Sequence, residues 1–208
     1  MKFLIADDHA IVRKGLTQIL LEEFPSAEVT EVANSNEALE EVSKQIWDVI
    51  LLDISMPGRN GIETLKQIRA NGIKAPILML SMHPEEQYAV RVLKAGASGF
   101  LNKESATEEL LAAVHRVLSG RKYISSSIAE KLAETLGESG DKPAHEFLSD
   151  REMQVLQLIA SGKSVSEIAK EISLSVNTIS TYRARILEKL SLNNNAELTR
   201  YALDNNLV

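Results

Sequence analysis

Five times before Gly120 the chain passes from a short apolar run into an amphipathic helical pattern, and this alternation restricts the fold more than any other feature. Apolar runs joined by helical crossovers are the sequence form of a parallel sheet covered on both faces. The runs are Lys2 to Ala6, Glu28 to Ala33, Asp48 to Asp53, Pro76 to Ser81 and Gly99 to Lys103. The third and fourth are almost continuously apolar, as buried central strands must be. Between them apolar residues recur at helical spacing, first in Ile11, Val12, Leu16, Ile19 and Leu20 and last in Leu110, Leu111, Val114 and Leu118. Ser105 and Glu108 have the spacing of a capping box at the head of that last helix. The predicted class is α/β, a doubly wound, five-stranded parallel sheet.

After Gly120 a short helical pattern, Ile128 to Leu136, runs into Gly137 to Glu146, a Gly-, Ser-, Asp- and Pro-containing stretch that reads as a linker. Beyond it the strand signal ends and four helical segments follow. Two open with capping boxes, Ser149 with Glu152 and Ser164 with Glu167, and Gly162 between them is a predicted helix stop. The predicted organisation is an α/β domain over 1–122, a linker with a short helix over 123–147, and a small all-α domain over 148–208. No cysteine is present, which excludes disulfides, thiolate metal sites and a cysteine nucleophile together. The first apolar run meets Asp7-Asp8 too early for a signal peptide, and no stretch approaches the roughly 18 apolar residues of a membrane span. The expectation is a cytoplasmic protein with no membrane contact. The net charge of −6 argues against nonspecific nucleic-acid binding by the whole molecule, but seven Lys/Arg balance seven Asp/Glu from Ser149 onward.

In an open parallel sheet, ligands bind at the carboxyl ends of the strands. Here strand one ends in Asp7-Asp8, strand three in Asp53, strand four in Ser81 and strand five in Lys103. Clustered carboxylates repel unless a cation joins them, and an oxygen site with few protein ligands suits Mg²⁺. A carboxylate can attack phosphorus to give an aspartyl phosphate while a metal and a lysine neutralise the charge in transfer. Asp53, ending the central strand, is the predicted nucleophile.

On these residues the first part resembles the receiver domain of two-component response regulators. Asp7-Asp8 stands at the family's acidic pair, Asp53 at its phosphoacceptor, Ser81 at its switch hydroxyl and Phe100 at its switch aromatic. Met56-Pro57-Gly58, Gly61, Ala95-Gly96-Ala97 and Lys103 complete the match. The resemblance implies a flavodoxin-like strand order 2-1-3-4-5. It also implies Mg²⁺ held by Asp8, Asp53 and the backbone carbonyl of Ser55, with Asp7 acting mainly through water. A phosphoryl group on Asp53 would draw Ser81 inward, pair with Lys103 and let Phe100 rotate into the vacated space. Arg59 and His83 lie near the pocket as candidates for tuning phosphoryl lifetime.

The tail resembles the DNA-binding domain of LuxR and NarL-type regulators, carried by Leu148-Ser149-Asp150-Arg151-Glu152, Val155-Leu156, Gly162, Ile168-Ala169, Leu174-Ser175, Thr178-Ile179 and Lys189-Leu190. Ser173 to Ser175 would be the turn and Val176 to Leu190 the recognition helix. A helical wheel puts Ile179, Ile186, Leu187 and Leu190 on one face and Asn177, Ser180, Thr181 and Ala184 on the other. Tyr182 and Arg183 are similar to the Bvg and Evg subset of that family. Expected DNA contacts are Asn177, Thr178, Ser180, Thr181, Tyr182, Arg183, Ala184, Arg185 and Lys189. Arg185 is the candidate for bidentate base reading, and Arg183 for reaching a phosphate over the apolar face.

The combined expectation is a transcriptional regulator, not a turnover enzyme. Its partners would be a sensor histidine kinase, promoter DNA and a second copy of the chain. One rival keeps DNA binding and makes the first domain a degenerate dimerisation platform, but no pocket residue is missing. Another is an aspartyl-nucleophile phosphatase of the haloacid dehalogenase type, whose second aspartate is absent from Asp53-Ile54-Ser55.

Overall fold

A computed structural model of the chain describes residues 1–57, 59–82, 85–125, 128–130 and 143–208. The chain divides into two compact units, Met1–Gly137 and Glu138–Val208. In the first, strands β1 (Lys2–Ala6), β2 (Glu28–Val32), β3 (Val49–Asp53), β4 (Ile77–Ser81) and β5 (Gly99–Asn102) alternate with helices α1 (Ala10–Glu23), α2 (Ser35–Lys44), α3 (Gly61–Ala70), α4 (Glu85–Lys94) and α5 (Ala106–Leu118). All strand pairs are parallel and the order is β2-β1-β3-β4-β5, as expected. The first run keeps its bounds, the second and fifth lose their last residue, and the third and fourth lose their first.

Strand alternation sorts the core into two layers, because successive side chains point to opposite faces. Leu4, Ala6, Ile50, Leu52, Ile77, Met79 and Phe100 pack with α2, α3 and α4 residues such as Ala38, Val42, Leu65, Ile68 and Tyr88. Phe3, Ile5, Val49, Leu51, Leu78, Leu80 and Leu101 pack on the other face with Leu16 and Leu20 of α1 and Leu110, Ala113 and Val114 of α5. β3 and β4 are buried at every position, so their near-continuous apolar character follows from being central.

Beyond α5 the chain turns back onto the sheet. Gly120 adopts φ 78°, the Tyr123 amide donates to the Ser98 carbonyl at 2.9 Å, and Tyr123 bridges Gly99 in parallel sense. The Tyr123 hydroxyl donates to Glu109 at 2.8 Å. Ile124 packs against the Phe100 layer and Ile128 is fully buried within it. A Cβ on Gly99 would stand 2.8 Å from the Tyr123 carbonyl oxygen, so this approach needs glycine. Of the predicted helix from Ile128 to Leu136, residues 128–130 are helical and the rest lies outside the described residues.

One helix start differs from expectation. Ser105 does not cap α5: its backbone is already helical (φ −96°, ψ −4°) and its side chain makes no capping bond. Its hydroxyl turns back to the Asn102 carbonyl at 3.4 Å, while its own carbonyl accepts the Glu108 and Glu109 amides.

Among the described residues of the second unit, a 3₁₀ turn, Ala144–Phe147, is followed by α6 (Asp150–Ala160), α7 (Val165–Glu171), α8 (Val176–Leu190) and α9 (Asn195–Asp204). Both predicted capping boxes close: the hydroxyls of Ser149 and Ser164 accept the amides of Glu152 and Glu167, whose carboxylates accept the two serine amides in return. Gly162 ends α6 at φ 86°. Leu156, Ile168, Ile179, Ile186, Leu198 and Ala202 form a single core. No helix among the described residues is long and apolar enough to cross a membrane.

Candidate functional site

Parallel topology delivers the strand-end residues to one rim. The Asp53 amide region is fixed by the β3–β4 ladder, with the Ile54 amide donating to the Leu80 carbonyl at 2.9 Å. The Lys103 amide donates to the Ser81 carbonyl at 2.8 Å, tying the ends of β4 and β5 together. Gly61 lets α3 begin directly against the nucleophile's backbone: its amide donates to the Ile54 carbonyl at 2.9 Å, and a Cβ there would lie 2.0 Å from the Asp53 carbonyl oxygen. Asn60, itself buried, caps α3 by accepting the Glu63 amide at 2.9 Å. Arg59 contributes its backbone carbonyl, which accepts from the buried Ser35 hydroxyl, while Gly58 and His83 lie outside the described residues.

Asp7, Asp53 and Ser81 are fully buried. Lys103 Nζ stands 2.7 Å from Asp7 Oδ2 and 2.9 Å from Asp53 Oδ2. The other Asp53 oxygen accepts the Ser55 amide at 3.2 Å, so the Ser55 backbone borders the same carboxylate. Burial raises the Asp53 pKa from an ordinary 3.8 to about 6; the Lys103 charge opposes that rise and the Asp7 charge adds to it. Phe100 is buried among Met79, Tyr88 and Ala97 on the face behind Ser81.

Asp8 is partly exposed at the mouth, and beside it stands a residue that strand-end reasoning passes over. His9 donates its amide to Asp7 Oδ1 at 2.8 Å and holds Nδ1 2.7 Å from Asp8 Oδ1 and 3.2 Å from Asp7 Oδ1. One ligand atom from each of Asp7, Asp8, His9 and Asp53 falls within 4.8 Å of the other three. Asp7 Oδ2, Asp8 Oδ1 and Asp53 Oδ2 are buried without a well-aligned hydrogen-bond donor. Oxygens of this kind fit a hard divalent cation, so the acidic pocket can bind a metal.

On the second unit, α8 presents its predicted polar face to solvent. Asn177, Ser180, Thr181, Ala184 and Arg185 are exposed, whereas Ile179, Ile186 and Leu190 are buried and Leu187 is half-buried. Asn177, Thr178, Thr181, Tyr182 and Arg185 line a shallow concavity. Ser175 caps the helix by accepting the Thr178 amide at 3.0 Å, and Ser173 makes the turn at φ 54°. Two predicted contact residues are engaged inside the domain. Arg183 Nε donates to Asn195 Oδ1 at 2.5 Å, joining α8 to α9. Lys189 Nζ lies 2.6 Å from Glu152 Oε2. Burial would push Glu152 up, but Lys189 and the Ser149 hydrogen bonds prevail and hold its pKa below the usual value.

Comparison with known proteins returns two families. The response regulator receiver domain matches residues 3–115, and the luxR family of bacterial regulatory proteins matches residues 146–202. The chain is 35% identical to the response regulator UvrY of Escherichia coli K12 over 206 residues, 98% of this chain and 94% of that protein. It is also 35% identical to the oxygen regulatory protein NreC of Staphylococcus epidermidis over 216 residues, 100% of this chain and 99% of that one. A structure of RcsB from Salmonella enterica serovar Typhimurium, bound to promoter rprA with the phosphomimetic BeF3−, has a TM-score of 0.63 at 30% identity, covering 97% of each chain.

Proposed function

The chain belongs to the response regulators that join a receiver domain to a LuxR-type helix-turn-helix, and from that premise we propose that phosphorylation of Asp53 by a sensor histidine kinase controls dimerisation and binding to promoter DNA. The observation that carries this reading is the convergence of Asp7, Asp53 and Lys103, from three strands, on one buried carboxylate. A receiver over 1–122, a linker over 123–147 and a DNA-binding domain over 148–208 are the functional divisions, acting in the cytoplasm.

Asp53 is the nucleophile. Its carboxylate oxygen forms a bond to phosphorus as the bond to the kinase's histidine nitrogen breaks; that ring keeps the electron pair and, with one proton from solvent, ends as neutral imidazole, while an acyl phosphate is left here. Lys103 already faces the nucleophilic carboxylate and neutralises charge on the transferring group. Asp8, Asp53 and the Ser55 carbonyl would hold Mg²⁺, with Asp7 reaching it through water. Bound there, Mg²⁺ supplies charge neutralisation for the phosphoryl oxygens. The phosphoryl group then adds about −1.5 to −2 charge where Ser81 and Lys103 can answer it, and repacking of Phe100 behind Ser81 alters the β4–α4–β5 face. The chain's only catalysis is of its own phosphorylation and dephosphorylation.

At the DNA, the exposed short side chains Asn177, Ser180, Thr181 and Ala184 permit close approach to the major groove, with Arg185 and Tyr182 at its edges. Thr178, Arg183 and Lys189 border that surface. The neutral charge of the domain makes single-copy binding weak, so pairing of two copies sets operator affinity. The test is a DNA-shift titration with and without beryllofluoride and Mg²⁺, run on wild type and Asp53→Ala. Tighter operator binding only in activated wild type is expected; equal affinity in all four arms would overturn the switch.

A further inference from the structure

Magnesium chemistry accounts for the carboxylates of the pocket but leaves the imidazole at its mouth without a role. His9 is the residue immediately before α1, and its side chain does not cap that helix. Instead it turns toward the acid pair, with Nδ1 2.7 Å from Asp8 Oδ1. Its backbone is pinned there, since the His9 amide donates to Asp7 Oδ1 and the His9 carbonyl accepts the Arg13 amide at 3.1 Å. Arg13 in turn holds the Asp7 carbonyl through its guanidinium at 2.6 Å. The ring nitrogen therefore reaches the same small volume as the three carboxylates, within the 4.8 Å that brackets all four ligand atoms.

Three carboxylate oxygens and an imidazole nitrogen are a donor set different from three carboxylates alone. Magnesium takes oxygen ligands and gives up water reluctantly, so a nearby imidazole adds little to its binding. Imidazole suits zinc, nickel and copper, and affinity of a mixed nitrogen and oxygen site rises along the first-row series toward them. With side-chain exposure of 58%, the ring is at the surface of the pocket, where it can turn from Asp8 toward an entering cation without disturbing the core.

We infer that His9 is a nitrogen ligand that extends the acidic pocket from a magnesium site to one that binds divalent transition-metal ions, an inference that rests on the receiver reading above. His9 is thus a specificity-determining residue for the metal. Of the other histidines among the described residues, His115 is engaged with Glu23 on α1 and His145 with Tyr201 on α9.

The test is isothermal titration of the full chain with Zn²⁺ and, separately, with Mg²⁺, using wild type, His9→Ala, His9→Gln and Asp53→Ala. Loss of one ligand should weaken Zn²⁺ binding by at least about tenfold in His9→Ala while Mg²⁺ binding stays within about twofold. His9→Gln keeps a side chain able to hydrogen-bond Asp8 but has no imidazole, so it should behave like His9→Ala. Zn²⁺ affinity restored in His9→Gln, or unchanged in both variants while Mg²⁺ binds normally, would overturn the ligand role and leave the receiver reading intact. Wild type that takes up no Mg²⁺, or that binds it as well in Asp53→Ala, would instead overturn the receiver reading.

Discussion

Asp53 is charged against its surroundings, because it is fully buried beside Asp7 and Lys103 only partly offsets the two carboxylates. A folded pKa of about 6 lies above an ordinary 3.8, so the stability linked to this group is present in full below about pH 4 and is lost as pH rises through 6. In metal-free buffer Asp53→Asn, always neutral, should therefore melt higher than wild type at pH 7 to 8, by on the order of 1–3 kcal/mol, with the gap closing near pH 4. Parallel melting curves across that range would contradict the assignment. Gly61→Ala bears on the same carboxylate from behind: a methyl 2.0 Å from the Asp53 carbonyl oxygen forces α3 away. It should cost about 1–3 kcal/mol in urea unfolding and weaken beryllofluoride uptake measured by calorimetry. Asp7, Asp8, Asp53, Ser81 and Lys103 are legible in the sequence because parallel topology alone assigns strand ends to one rim. His9 is not, since a residue preceding a helix follows no periodicity; its one signal is adjacency to the acid pair.

Three helices begin with the same Ser-x-x-Glu spacing, and two of them use it. Ser149 and Ser164 sit in extended backbone, which aims each hydroxyl at the third amide of its helix. Ser105 follows a tight turn that begins at Asn102, whose side chain accepts the Glu104 amide at 2.9 Å, and the chain is already helical when it arrives. Spacing reports which side chains are available but not the backbone angle of the residue that carries them. Replacement by alanine should accordingly cost about 1 kcal/mol at Ser149 and at Ser164, and under about 0.5 kcal/mol at Ser105, in chemical denaturation. A loss at Ser105 equal to the other two would show that its cap forms in solution. The same limit applies to α8. The helical wheel separates its buried and exposed faces correctly, yet it contains no information on Glu152 and Asn195, which reach Lys189 and Arg183 from other elements.

The whole molecule carries its excess negative charge before Ser149, leaving a DNA-binding domain over 148–208 with no net charge. Within that domain Lys163, Lys189 and Arg200 have carboxylate partners and Arg151 is hydrogen-bonded to Gln154. Few cations remain to displace counterions from DNA. The activated protein should show a slope of log affinity against log salt shallower than about −6 even as a dimer, together with a binding curve steep in protein concentration. A steeper salt slope with no concentration cooperativity would assign the affinity to charge rather than to pairing. Division into two bodies is legible because the strand signal stops after Lys103 and glycine, serine and proline follow Leu136. The return of Tyr123 onto β5 is not, since one bridged residue is too short to show alternation. That return has a mechanical consequence for engineering this chain. Inserting one residue between Tyr123 and Ile124 would reverse which side the following residues present, loosen the cover on the β5 edge and invite sideways stacking of copies. The tether is therefore also the guard rail of the domain it leaves.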